Sequence, residues 1–266
     1  NISLMYRGDL FEFSASDLFT LEDFSVGETF SAGDLNLATS PSFSGSVSAN
    51  TQTSLNIPTS NNVEIHQVQF TSGGLTIEVA TNIRHQVNAV IYLPDFIKNG
   101  NPVQRSISIN GAGTTGTVTT HENINLTNAT LDIGSAGNNE FNVQLEATVT
   151  GSGAPISGNE FLQITIIANN MNFASVVGYF GQTSLNIQDS ILLRIFDNVN
   201  QGVFQFNDPK FRLDISNSFG IPAQIDINEL KTIVVQTGAE LLLTGYPNNI
   251  AINSPSVQGE VANTIV

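Results

Sequence analysis

From Val63 onward, apolar and polar positions alternate with a period of two over most of the chain, the pattern of strands that have one dry face. The clearest runs are Leu75, Ile77 and Val79 opposed by Thr76 and Glu78, and Val143, Leu145, Ala147 and Val149 opposed by Gln144, Glu146 and Thr148. Turn signals recur at about ten-residue spacing, the all-β signature: Ser72-Gly73-Gly74, Asn99-Gly100, Asn110-Gly111, Gly134 to Asn139 and Gly151 to Gly158. Val87 to Leu93, Phe161 to Ala168 and Ser190 to Phe196 are apolar on both faces, which predicts central strands covered on both sides or a contact between modules. Helical periodicity is confined to two short stretches. Ser14 to Phe24 has Ser16 or Asp17 as a cap and Leu18, Leu21 and Phe24 on one face, and Asp226 to Thr232 could form a single turn.

A second pattern begins near residue 202. The run Gly202 to Phe206 leads into Asn207 to Pro222, where Phe211, Leu213 and Ile215 alternate with Arg212, Asp214 and Ser216. Pro209, Asn217, Gly220 and Pro222 supply turn chemistry, and Ala223, Ile225 and Ile227 then resume the alternation against Gln224 and Asp226. Further strands are expected at Lys231 to Gln236, Glu240 to Thr244 and Ser256 to Ala262. The fold class is therefore mainly β: an antiparallel β-sandwich in two modules with little helix. The expected divisions are an acidic, aromatic segment and linker over 1–60, a sandwich over 61–200, and a second β module over 201–266 that is short for a complete sandwich.

Composition narrows the functional classes. Charged residues make up only 12% of the 266, against about 25% in an average domain, so Asn, Ser, Thr, Gln and Gly must supply the polar surface. Eight basic residues against 23 acidic ones leave a formal charge of −15. That charge repels phosphate backbones, so nucleic acid is not an expected partner. No cysteine is present, which removes disulfides, thiolate metal sites and thiol nucleophiles. No apolar run approaches the roughly 18 residues of a spanning helix. The chain starts at Asn1 without a basic and apolar leader, which is the expectation for a processed, exported protein.

Little in the sequence points to catalysis. His66, His85 and His121 have no nucleophile elbow or HExxH motif beside them, and His66 with His85 would make only half of a zinc site. The acidic pairs Glu22 with Asp23, Asp208 with Asp214, and Asp226 with Glu229 suit solvated strand faces. A glycosidase would need two carboxyls about 5–10 Å apart, in a cleft that four Tyr and no Trp furnish poorly. No catalytic residue, metal or cofactor is expected. Seven acidic residues between Asp9 and Asp34 are interleaved with Phe11, Phe13, Phe19, Phe24 and Phe30. These phenylalanines are either the candidate partner-binding residues or edge strands that complete the sandwich.

Two resemblances add to this reading. Asp208-Pro209 with Phe211, Leu213, Ile215 and Asn217-Ser218-Phe219-Gly220-Ile221-Pro222 resembles the strand pair of late-embryogenesis-abundant type 2 β-sandwiches, over residues 202–250. It departs in having Asn-Ser-Phe where that family has Asn-Pro. The acidic aromatic start, Leu93 to Gly100, Val177-Gly178-Tyr179-Phe180-Gly181 and the same strand pair together resemble exported envelope β-sandwich proteins of Bacteroidota. Among these the layout is similar to the Plug-type subunits of the type 9 secretion translocon. The resemblance implies a non-enzymatic protein, periplasmic or outer-membrane-associated, with no transmembrane segment of its own. Its partner would be a large outer-membrane β-barrel whose periplasmic side it closes. The alternative is a secreted adhesin or carbohydrate-binding β-sandwich.

Overall fold

The computed structural model describes residues 7–14, 19–59, 63–134, 138–181, 184, 186–190, 212–233, 237–257 and 259–266. Two compact units emerge, one of residues 16–187 and one of residues 1–15 with 188–266.

The larger unit contains β1 (Phe24–Ser31), β2 (Ser46–Asn56), β3 (Glu64–Thr81), β4 (Gln86–Lys98), β5 (Asn101–Asn110), β6 (Val118–Asn125), β7 (Ala129–Asp132), β8 (Glu140–Thr150) and β9 (Phe161–Tyr179). A single hydrogen-bonded path runs β1-β9-β3-β7-β4-β8-β2, with β6 on β3 and β5 on β4. The nine strands thus make two four-stranded layers, β1-β9-β3-β6 and β2-β8-β4-β5, curled almost into a barrel and bridged by the short β7. All pairings are antiparallel. Eight strands in two Greek-key layers constitute a jelly roll.

The register explains the core. On the inner face of the first layer, Val26, Ile166, Ile77 and Glu122 form one row across β1, β9, β3 and β6. Thr51, Leu145, Ile91 and Arg105 do the same across β2, β8, β4 and β5. The central members of these rows are fully buried, while the edge strands carry weaker or charged members. Phe96 and Phe141 meet edge to face inside the core, ring centroids 5.3 Å apart. Each fully buried aliphatic or aromatic side chain contributes about 1.5–3 kcal/mol, so the double-layer core is the main source of stability.

Local chemistry closes the hairpins. Asn99 and Gly100 both adopt positive φ, 52° and 76°, the two-residue turn whose twist matches the flanking strands. Gly178 stands opposite Ile65 at a register shift between β3 and β9, where an added Cβ would come 1.9 Å from the Glu64 carbonyl oxygen.

Three expectations change. No helix occurs among the described residues; of the expected helix Ser14 to Phe24, residues 15–18 lie outside them, and Phe24 opens β1, because its alternation with Val26 and Phe30 matches the inner positions of β9. Residues 227–230 connect two strands instead of making a helical turn. Ser40 to Asn62, whose small polar residues read as a linker or an irregular edge, contains the eleven-residue edge strand β2, whose inner positions Val47, Ala49, Thr51, Thr53 and Leu55 are modest in size but correctly spaced.

In the smaller unit, β10 (Asp214–Asn217) pairs with β15 (Ala262–Ile265), β11 (Ala223–Asp226) with β14 (Asn249–Ile252), and β12 (Lys231–Ile233) with β13 (Glu240–Leu242). The three ladders are nested, so the chain makes one long, interrupted two-stranded ribbon. β10 and β11 therefore do not pair with each other, unlike the strand pair implied by the resemblance. The expected strand Ser190 to Phe196 lies outside the described residues from residue 191 on, as do Gly202 to Phe206, Pro209 and Phe211.

Candidate functional site

The structure separates the five aromatic candidates. Phe24 and Phe30 are buried on the inner face of β1, and Phe19 is buried against Phe173 and Phe180 at centroid distances of 5.7 and 5.6 Å. Phe13 is half-buried on Phe219, while Phe11 is exposed. Among the turn residues, Asn217 is buried: its side-chain oxygen accepts from the Phe219 N–H at 2.8 Å and its amide donates to the Asn253 carbonyl at 2.9 Å. This is an Asx turn, and it ends β10. Gly220 does not use a positive φ, and Pro222 is exposed.

The histidines lie apart. His121 is exposed on β6, beside Glu78 in register, and His66 on β3 has Glu64 at 3.9 Å. His85 is fully buried just before β4. The Ser152 N–H donates to its Nδ1 at 3.1 Å, and the Ser152 hydroxyl, 3.0 Å from the same nitrogen, donates to the Arg84 carbonyl at 2.8 Å. An accepting Nδ1 assigns the proton to Nε2, which is buried without a hydrogen-bond partner. Phe43 packs edge to face on the ring at 5.1 Å. Burial pushes the His85 pKa down and Arg84 adds to the effect, against the attraction of Glu160.

Glu160 itself is buried. Burial pushes its pKa up, but N–H groups from Ser157, Glu160 and Gly158 and the Ser157 hydroxyl outweigh that and hold it low. The other acids serve local structure. Asp214 pairs with Arg212 at 2.8 Å, Asp226 accepts from Gln224 and Asn249, and Glu229 and Glu240 share Lys231. Among the described residues no group of three or more His, Asp or Glu is placed to hold a metal.

Two surfaces differ from the rest. One is the ribbon, where Leu241 and Leu242 are 66% and 61% exposed and Ile233, Val257, Val261 and Ile265 are more than half exposed. The other is the outer face of the β2-β8-β4-β5 layer, where Gln52, Gln144, Tyr92 and Gln104 form a row in register. Neither stood out in the sequence. Tyr92 and Gln104 face each other in the β4-β5 hairpin, but Gln52 and Gln144 are remote from them along the chain, and only the strand order brings the four together.

No known protein family matches the chain, and no curated protein does. Distant likenesses exist among solved structures. The PRD1 vertex protein P5 is 13% identical with a TM-score of 0.28, covering 57% of this chain and 100% of that one. The cowpea mosaic virus empty virus-like particle gives 9%, 0.29, 75% and 99%. TmCBM61 in complex with beta-1,4-galactotriose gives 9%, 0.22, 53% and 80%. The jelly-roll assignment rests on the strand order itself.

Proposed function

We propose that the protein is a non-enzymatic assembly component whose C-terminal ribbon docks on a protein partner. The observation that carries this reading is the exposure of large apolar side chains on both faces of a ladder three residues long, Ile233 and Leu242 on one face and Leu241 on the other. A two-stranded ribbon is marginal by itself in water, and unpaired edges with exposed apolar side chains are the chemistry of strand addition. In its narrowest form this is the role implied by the envelope resemblance: an exported, Plug-type subunit that closes the periplasmic side of an outer-membrane translocation pore, with a large β-barrel as partner.

The test is mild-detergent purification from the native envelope, with Leu241→Asp/Leu242→Asp run in parallel. A stoichiometric protein partner retained by the native chain and lost from the variant supports docking through the ribbon. A large barrel in that position supports the narrow form. Recovery of the native chain alone and monomeric overturns both.

A further inference from the structure

We infer that the outer face of the β2-β8-β4-β5 layer is a binding platform for a neutral glycan, a function separate from docking by the ribbon. Strand order places Gln52, Gln144, Tyr92 and Gln104 side by side across four strands. At about 4.8 Å per strand this row spans about 14 Å, the length of a short oligosaccharide. Asn50 and Glu146 flank it in the next row.

The hydrogen bonds on this face set the central patch apart. In the row beyond it, polar groups satisfy one another: Ser48 with Thr148 at 2.8 Å, and Gln86 with Ser108 and Ser108 with Asn88, both at 2.8 Å. The side-chain amides of Asn50, Gln52, Gln104 and Gln144, by contrast, make no hydrogen bond among the described residues, and all four are exposed. Each amide offers donors and an acceptor together, the combination that reads neighbouring sugar hydroxyls. Tyr92 stands half-buried at the centre, where its ring offers an apolar surface, and its hydroxyl donates to Glu146 at 3.5 Å, orienting a carboxylate that can accept from two further hydroxyls.

Charge selects the class of ligand. The three rows hold no Lys or Arg, and Glu146 is their one charged side chain. With a formal charge of −15 on the whole chain, this face disfavours sulfated or uronic-acid glycans, nucleic acid and anionic lipid. The first layer lacks such a patch: its corresponding row carries Gly27, Thr165, Glu78 and His121.

The full chain should be screened on an array of neutral and anionic oligosaccharides, and any ligand then titrated by calorimetry. The expected result is saturable binding of a neutral glycan, weakened tenfold or more by Tyr92→Ala and several-fold by Gln144→Ala. Tyr92→Phe should stay within a few-fold of the native chain, and Gln163→Ala, on the other layer, should match it. Unchanged circular dichroism of each variant excludes misfolding as the cause. Binding of anionic glycans only, no saturable binding, or binding unaffected by Tyr92→Ala and Gln144→Ala would each overturn the inference. Because the ribbon is intact in all of these proteins, the outcome is independent of the docking test.

Discussion

The jelly roll and the ribbon are both built from alternating strands, yet they use the alternation differently. In the jelly roll the alternate residues from two layers close on each other, so Ile77, Ile91, Leu145 and Ile166 lose all contact with water. In the ribbon the ladders are three or four residues long, and Asn217, Ile250 and Thr264 are its buried members among the described residues. Two of those three are polar, and they are held by side-chain bonds to the backbone of Asn253. Period-two patterning specifies a strand, and a second layer turns that strand into a stable one. The jelly roll contains its second layer.

The comparison would break most visibly on separating the units. A chain ending at Ile187 is expected to keep a cooperative thermal transition by calorimetry, whereas one starting at Gln188 should show none; the reverse result would remove the distinction. A smaller effect comes from truncating one side chain in each region. Phe141→Ala should cost about 3–5 kcal/mol in chemical denaturation. Ile225→Ala, at a half-buried ribbon position, should cost under about 1 kcal/mol. The smallest effect is a pH dependence confined to the jelly roll. The folded state holds His85 below its ordinary pKa of 6.5, so the unfolded chain binds the extra proton first. Stability is therefore full above pH 6.5 and falls as the pH drops from there toward the lowered folded value. His85→Gln should flatten the melting temperature across that window, and an unchanged slope would show that the buried imidazole is not its source.

Much of the jelly roll was legible because its signals are local. Leu75 to Val79 and Val143 to Val149 fall in β3 and β8, and the Asn99-Gly100 turn joins β4 to β5. β2 was hidden by its small inner residues, which suffice because they lie over Phe141, Val143 and Leu145 of β8. The phenylalanines near the N-terminus read equally as docking groups or edge-strand anchors, since alternation does not say whether a partner strand lies inside the chain. The amide and tyrosine patch was not legible as a whole, because Tyr92 and Gln104 share the β4-β5 hairpin but Gln52 on β2 and Gln144 on β8 join them only through the crossover order. The nested pairing of the ribbon is likewise a long-range fact. Asp214 meets Ile265 across fifty intervening residues, and nothing near either residue records it.

One detail of the register limits how the molecule can associate. Glu28 on β1, Glu122 on β6 and Arg105 on β5 occupy inner-face positions on edge strands, in register with the buried Ile164, Ile77 and Ile91. Another strand added at those edges would trap a charge away from water, so the jelly roll cannot be extended sideways copy after copy. Pairing of one jelly roll on the next therefore does not propagate, and assemblies built through this unit should have a defined mass instead of growing into fibres.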